Sequence, residues 1–126
     1  MTTTEPHTTP RTLPSTAGAA RDQVRDLLHT TGCAPPPQSV IDDILLVVSE
    51  LVTNAHRHAG GLTGFTAHVA DGTLTVRATD ASPSDPTTPG GFGWPLIQKL
   101  SRHVTVTPLG TGKTIQVVLD TVHQRA

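Results

Sequence analysis

The stretch D-D-I-L-L-V-V-S-E-L-V-T-N-A-H-R-H-A, residues 42–59, constrains this chain more than any other. With Ile41 just before it, the residues Ile44, Leu45, Val48, Leu51, Val52, Ala55 and Ala59 recur every three or four positions. That spacing predicts one amphipathic helix with a stripe wide enough to face a core. Such a helix must bury its stripe against another layer. Its other side carries Glu50, Asn54 and His58, spaced four apart and so stacked on neighbouring turns. An acid, an amide and an imidazole in a column read as a solvated, functional face.

The second layer can be read from the flanking residues. A chain of 126 residues suits one domain. With two Phe, one Trp and no Tyr, its core must be built from Val, Leu, Ile and Ala. Residues 1–12 are Thr/Pro-rich and are expected to form a disordered tail, since they cannot bury enough apolar surface. Residues Thr12 to Pro14 could add a short edge strand. Ser15 or Thr16 is the expected N-cap of a helix over Ala17–Thr30, with Ala20, Val24, Leu27 and Leu28 inside and Gly32 as its stop. Pro35-Pro36-Pro37 is a rigid connector, and Ser39 is the expected cap of the long helix, which Gly60-Gly61 ends. Phe65, Ala67 and Val69 alternate within Leu62–Ala70, Asp71-Gly72 is a hairpin turn signal, and Leu74, Val76 and Ala78 alternate on the return. After Asp80, Ala81–Pro89 reads as a loop. Pro95 then suits the first turn of a helix bearing Leu96, Ile97 and Leu100. Val104, Val106 and Pro108 open a second hairpin, which turns at Gly110-Thr111-Gly112 and returns over Lys113–Asp120. The expected domain is 13–120, with 121–126 a polar tail. Its fold class is a two-layer α/β (α+β) sandwich: a mainly antiparallel, four-stranded sheet covered on one face by three helices.

Composition narrows the function. A net charge of −1 without a basic patch offers no electrostatic case for direct nucleic-acid binding. Cys33 is the lone cysteine, so no intramolecular disulfide can form, which fits a reducing cytosol; Cys33 itself reads as a small apolar residue. The N-terminus M-T-T-T-E-P-H-T-T-P has no apolar run or basic n-region, and no stretch approaches the roughly 18 apolar residues of a membrane span. A cytoplasmic protein is expected.

Two glycine-rich segments differ in meaning. G-T-G-K-T at 110–114 resembles the end of a P-loop, but position 107 is Thr where that pattern needs Gly, and Ile115–Leu119 reads as a strand rather than a helix. It is read as a hairpin turn. G-G-F-G at 90–93 lies between a polar loop and a helix beginning near Trp94, where glycines let the backbone approach a ligand. Asp80, at a strand end, could accept a hydrogen bond from a purine amino group. A metal site at His56 and His58 is disfavoured, because residues two apart on a helix point in different directions.

In order and spacing, S-E-L-V-T-N-A-H-R-H-A, Asp80, Gly91-x-Gly93 and Gly110-x-Gly112-Lys113-Thr114 resemble the histidine-kinase-like (Bergerat-type) ATPase domains. More closely, the chain looks like the small ATP-binding proteins of the anti-sigma-factor serine kinase family, from about Leu13 to Leu119. The resemblance implies ATP and Mg²⁺ as cofactors. It implies that Asn54 coordinates Mg²⁺, that Glu50 is the general base or water positioner, and that Asp80 binds the adenine amino group. Gly91 and Gly93 would let a lid pass over the phosphates, Thr114 would lie near the adenine, and His58 closes the first motif. It further implies a serine/threonine kinase that partners a sigma factor, an anti-sigma-factor antagonist or both, and a homodimer. Two motifs depart from the family pattern: Asp80-Ala81-Ser82 lacks the glycine of Asp-x-Gly, and Gly91-Phe92-Gly93-Trp94 replaces Gly-Arg-Gly-Leu. These departures motivate an alternative, a degenerate ATPase fold that holds a partner without phosphoryl transfer. A sensor histidine autokinase is disfavoured, because no dimerising helical hairpin with an accepting His precedes the domain.

Overall fold

In chain order the elements are strand β1 (His7–Thr8), helices α1 (Ala17–His29) and α2 (Gln38–His58), strands β2 (Leu62–Ala70) and β3 (Thr73–Asp80), helix α3 (Trp94–Leu100), and strands β4 (His103–Leu109) and β5 (Gly112–Asp120). The computed structural model describes residues 7–8, 13–30, 36–58, 60–82 and 94–121.

Local chemistry sets most boundaries. Thr16 caps α1 by accepting the Ala19 N–H at 3.0 Å. The helix ends at Thr30, whose backbone N–H and hydroxyl both donate to the Leu27 carbonyl at 3.2 Å. Gly32, the expected stop, lies outside the described residues. Helix α2 opens two residues earlier than a Ser39 cap would place it. The Pro37 carbonyl accepts the Val40 and Ile41 N–H groups at 3.0 Å, so Ser39 sits inside the first turn rather than capping it. At the other end Gly60 and Gly61 take φ of 73° and 105°, and the Gly61 N–H closes on the Ala55 carbonyl at 2.8 Å. Asp71 and Gly72, at φ 54° and 74°, form the two-residue β2–β3 turn.

Among the described residues the sheet has five strands in the order β1-β2-β3-β5-β4, every pair antiparallel. The four long strands are the two expected hairpins, joined side by side through β3 and β5. The fifth is an edge strand at His7–Thr8, paired with Val69 and His68; Leu13 and Pro14, where an edge strand was expected, are not in a strand, and Thr12 lies outside the described residues. Part of the tail thus finds backbone partners, which needs no apolar burial of its own.

Strand alternation puts Phe65 and Ala67, Leu74, Val76 and Ala78, and Ile115, Val117 and Leu119 on the buried face. Helix α1 adds Ala20, Val24, Leu27 and Leu28, and α3 adds Trp94 and Ile97. Helix α2 buries Ile41, Ile44, Leu45, Val48, Leu51, Val52 and Ala55 as expected, together with Val47. It packs on α1, α3, β2, β3 and β5, so it joins every part of the core.

One close approach fixes how the hairpins meet. A Cβ added to Gly112, the first residue of β5, would overlap the Asp80 carbonyl oxygen and come within 2.8 Å of the Ala81 Cα. Both are backbone atoms and cannot rotate away. Gly112→Ala should therefore destabilise the fold by roughly 1–3 kcal/mol, read as a lowered urea midpoint with an unchanged m-value.

Candidate functional site

Two members of the polar column of α2, Asn54 and Glu50, are not fully solvated. Asn54 is buried, at 9 % exposure, and Glu50 is half-buried one turn earlier. The Asn54 Oδ1 has no hydrogen-bond partner among the described residues. A buried carbonyl oxygen left in that state costs about 1–3 kcal/mol, so its presence calls for a ligand. The third member, His58, is the last residue of α2; its side chain lies outside what is described. One residue before Glu50, Ser49 accepts a hydrogen bond from Arg21 of α1 at 2.9 Å and donates to the Leu45 carbonyl at 2.9 Å. This link holds α1 against that part of α2.

Across the layer, β3 ends at Asp80. The residue shares the inward parity of Leu74, Val76 and Ala78 and is 5 % exposed. Its register partner on β5 is Lys113, which shares the inward parity of Ile115, Val117 and Leu119 and is 6 % exposed. Lys113 Nζ lies 3.1 Å from both oxygens of Asp80, Oδ1 and Oδ2. It also donates to the Ser82 carbonyl at 3.0 Å. The Ser82 N–H in turn donates to Asp80 Oδ1 at 2.9 Å, closing an Asx turn. Residues 80–82 are thereby held without the expected glycine at 82: the turn is made by the Asp80 side chain and tied down by the lysine.

The structure does not bring every expected residue to this place. Thr114 pairs with Thr79, not with Asp80, and so falls on the opposite face of the sheet. There its hydroxyl hydrogen-bonds to that of Thr79 at 2.8 Å, beside the Arg77–Gln116 pair at 2.6 Å. The physical reason is the two-residue side-chain period: Lys113 and Thr114 cannot face the same way. Gly91, Gly93 and Phe92 lie outside the described residues. Trp94 opens α3 and is packed in the core. Lys113 is the residue that sequence reasoning missed. Its signal was parity: a lysine in phase with Ile115, Val117 and Leu119 needs a buried acid, and Asp80 was in phase with Leu74, Val76 and Ala78.

The donors suit ATP and Mg²⁺. An amide oxygen such as Asn54 Oδ1 is a hard ligand of the kind Mg²⁺ takes singly, completing its shell with phosphate and water. Among the described residues no three His, Cys, Asp or Glu side chains gather into a metal site, so a cation here would rely on that mode. Asp80 offers an acceptor suited to an amino group.

The sequence matches the histidine kinase-like ATPase domain family over residues 11–119. The chain belongs to that family. Its fold resembles the crystal structure of the RsbU and RsbW domains of Rv1364c from Mycobacterium tuberculosis (TM-score 0.64, 24% identity, 93% of this chain and 32% of that one). It also resembles the histidine kinase domain of the blue-light activated histidine kinase EL346 from Erythrobacter litoralis (TM-score 0.58, 21% identity, 90% of this chain and 64% of that one). The chain therefore spans about a third and just under two thirds of these two. Comparison with curated protein sequences gives no match. Among its described residues this ATPase domain has no helix long and apolar enough to cross a membrane.

The buried pair predicts a coupling. Lys113→Met leaves the Asp80 carboxylate unpaired and should cost about 3–5 kcal/mol, while adding Asp80→Leu should recover much of the loss. Urea unfolding of the wild type, both single variants and the double variant checks this; additive losses would contradict it.

Proposed function

We propose that this ATPase domain is an ATP-binding regulatory protein that acts as a serine/threonine kinase on a protein partner. A single observation carries the reading. The unpartnered, buried Oδ1 of Asn54 stands one turn from the half-buried Glu50, on the helix that packs against β3 and β5. Family membership supports the nucleotide.

In this reading Asn54 would hold Mg²⁺, whose charge would offset that of the phosphates, and Asp80 would accept a hydrogen bond from the adenine amino group. ATP, when bound, supplies the phosphoryl group. Glu50 takes the proton from the accepting Ser or Thr hydroxyl, or orients that hydroxyl, and positioning and electrostatics do most of the catalytic work. Gly91, Gly93 and His58 are proposed nucleotide-site residues on the family resemblance alone. The partner we propose is an anti-sigma-factor antagonist, a sigma factor or both, in a partner-switching pathway in the cytoplasm. The likeness to a structure that carries an RsbW domain supports the direction of this proposal.

A second reading has an observation of its own. Three of about four acceptor positions on Asp80 are already filled by Ser82 and Lys113, which favours a binding module with weakened nucleotide affinity.

Calorimetry with Mg-ATP separates the two, and transfer of labelled phosphate to a purified antagonist tests the chemistry. Wild type should bind Mg-ATP, Asn54→Ala should weaken binding about tenfold or more, and Glu50→Ala should abolish transfer while sparing binding. No binding heat with wild type would instead support the module.

A further inference from the structure

Asp80 is held in a way that bears on which base it can take. An ionised carboxylate has about four acceptor positions, two on each oxygen. Oδ1 already accepts the Ser82 N–H at 2.9 Å and Lys113 Nζ at 3.1 Å. Oδ2 lies 3.1 Å from the same Nζ. The ammonium therefore straddles the carboxylate, and among the described residues one acceptor position remains, on Oδ2. The lysine cannot swing aside freely. It is 6 % exposed, its Nζ is also bonded to the Ser82 carbonyl, and Gly112 beside it is pressed against the Asp80 backbone.

Purines differ in what they ask of a carboxylate. Adenine presents one amino group beside a ring acceptor, and a single oxygen satisfies it. Guanine presents two adjacent donors, N1–H and the 2-amino group, which pair with both oxygens of a carboxylate at once. A site with one open oxygen accepts the first and leaves a guanine donor unpaired in a buried place, which is penalised.

We propose that Lys113 is a positioning residue that sets base selectivity: by filling the forked face of Asp80 it leaves one acceptor and selects adenine over guanine nucleotides. The proposal rests on the nucleotide reading above and adds to it the residue that decides which base enters. It also explains the Asp-Ala-Ser sequence, since the turn at Ser82 supplies one of the bonds that close Oδ1.

The test is calorimetry of wild type, Lys113→Met and Lys113→Gln with Mg-ATP and Mg-GTP. Wild type should prefer ATP by about tenfold or more. Lys113→Met, which reopens both oxygens, should lower the ATP-to-GTP affinity ratio by about tenfold, chiefly by strengthening GTP binding. Lys113→Gln, which keeps an uncharged donor, should hold the ratio nearer to wild type. A lysine that merely supported the fold would weaken both nucleotides together and leave the ratio unmoved; that result overturns the proposal. Should Lys113→Met fail to fold, the wild-type measurements still decide, because equal affinity for ATP and GTP also overturns it. ATP binding with no base preference sinks this proposal and spares the nucleotide reading, whereas binding of neither nucleotide sinks both.

Discussion

Every layer of the molecule is held against the apolar side of α2. Ile44, Val47, Val48, Leu51 and Val52 are almost fully buried, and the helix meets α1, α3 and the central strands β3 and β5. Among the described residues Trp94 and Phe65 are the only aromatics in that core, so close packing of aliphatic side chains must supply most of the burial. The same helix carries Glu50 and Asn54, so their placement is as rigid as the packing beneath them. The site is built on the best-supported element, not on a loop.

The Asp80–Lys113 pair belongs to the same design from the sheet side. A buried ion pair is poor evidence of stability, because desolvation offsets most of the attraction, but it strongly resists removal of either partner. Here it joins the end of β3 to the start of β5, and its third bond, to the Ser82 carbonyl, reaches the first residues after β3. Gly112 completes the arrangement by letting the two backbones meet. The chain that leads away from Asp80 thus starts from a fixed point. The Asp80 side chain and Lys113 make the turn between them, which is why the departure at Ser82 from the family pattern can be absorbed without its loss.

Much of this was legible in the residues. The stripe of α2, the Asp71-Gly72 turn and the inward alternation of β3 and β5 follow from periods of 3.6 and 2, which depend only on backbone geometry. The pairing of His7–Thr8 with β2 was not legible, because it is made by backbone groups, which have no sequence signature. Ser39 was misplaced as a cap because the Pro37 carbonyl performs that role. The burial of Asn54 was not legible: helical spacing says which residues share a face, not how much of that face a neighbouring layer covers. Thr114 was read through a motif when its parity with Gln116 already set it apart from the buried face.

The sequence by itself determined the longer elements, their inward faces and the family, because each depends on local spacing or on a motif carried within one element. Only the tertiary structure decided that Asn54 is buried with an open oxygen, that Lys113 straddles Asp80 and that Thr114 faces away. Those facts depend on the register between β3 and β5 and on how α2 sits over them. Register is a relation between distant segments, set when the whole core closes. The column on α2 therefore put an acid and an amide on one face, and the pairing of two strands far along the chain set Lys113 against Asp80.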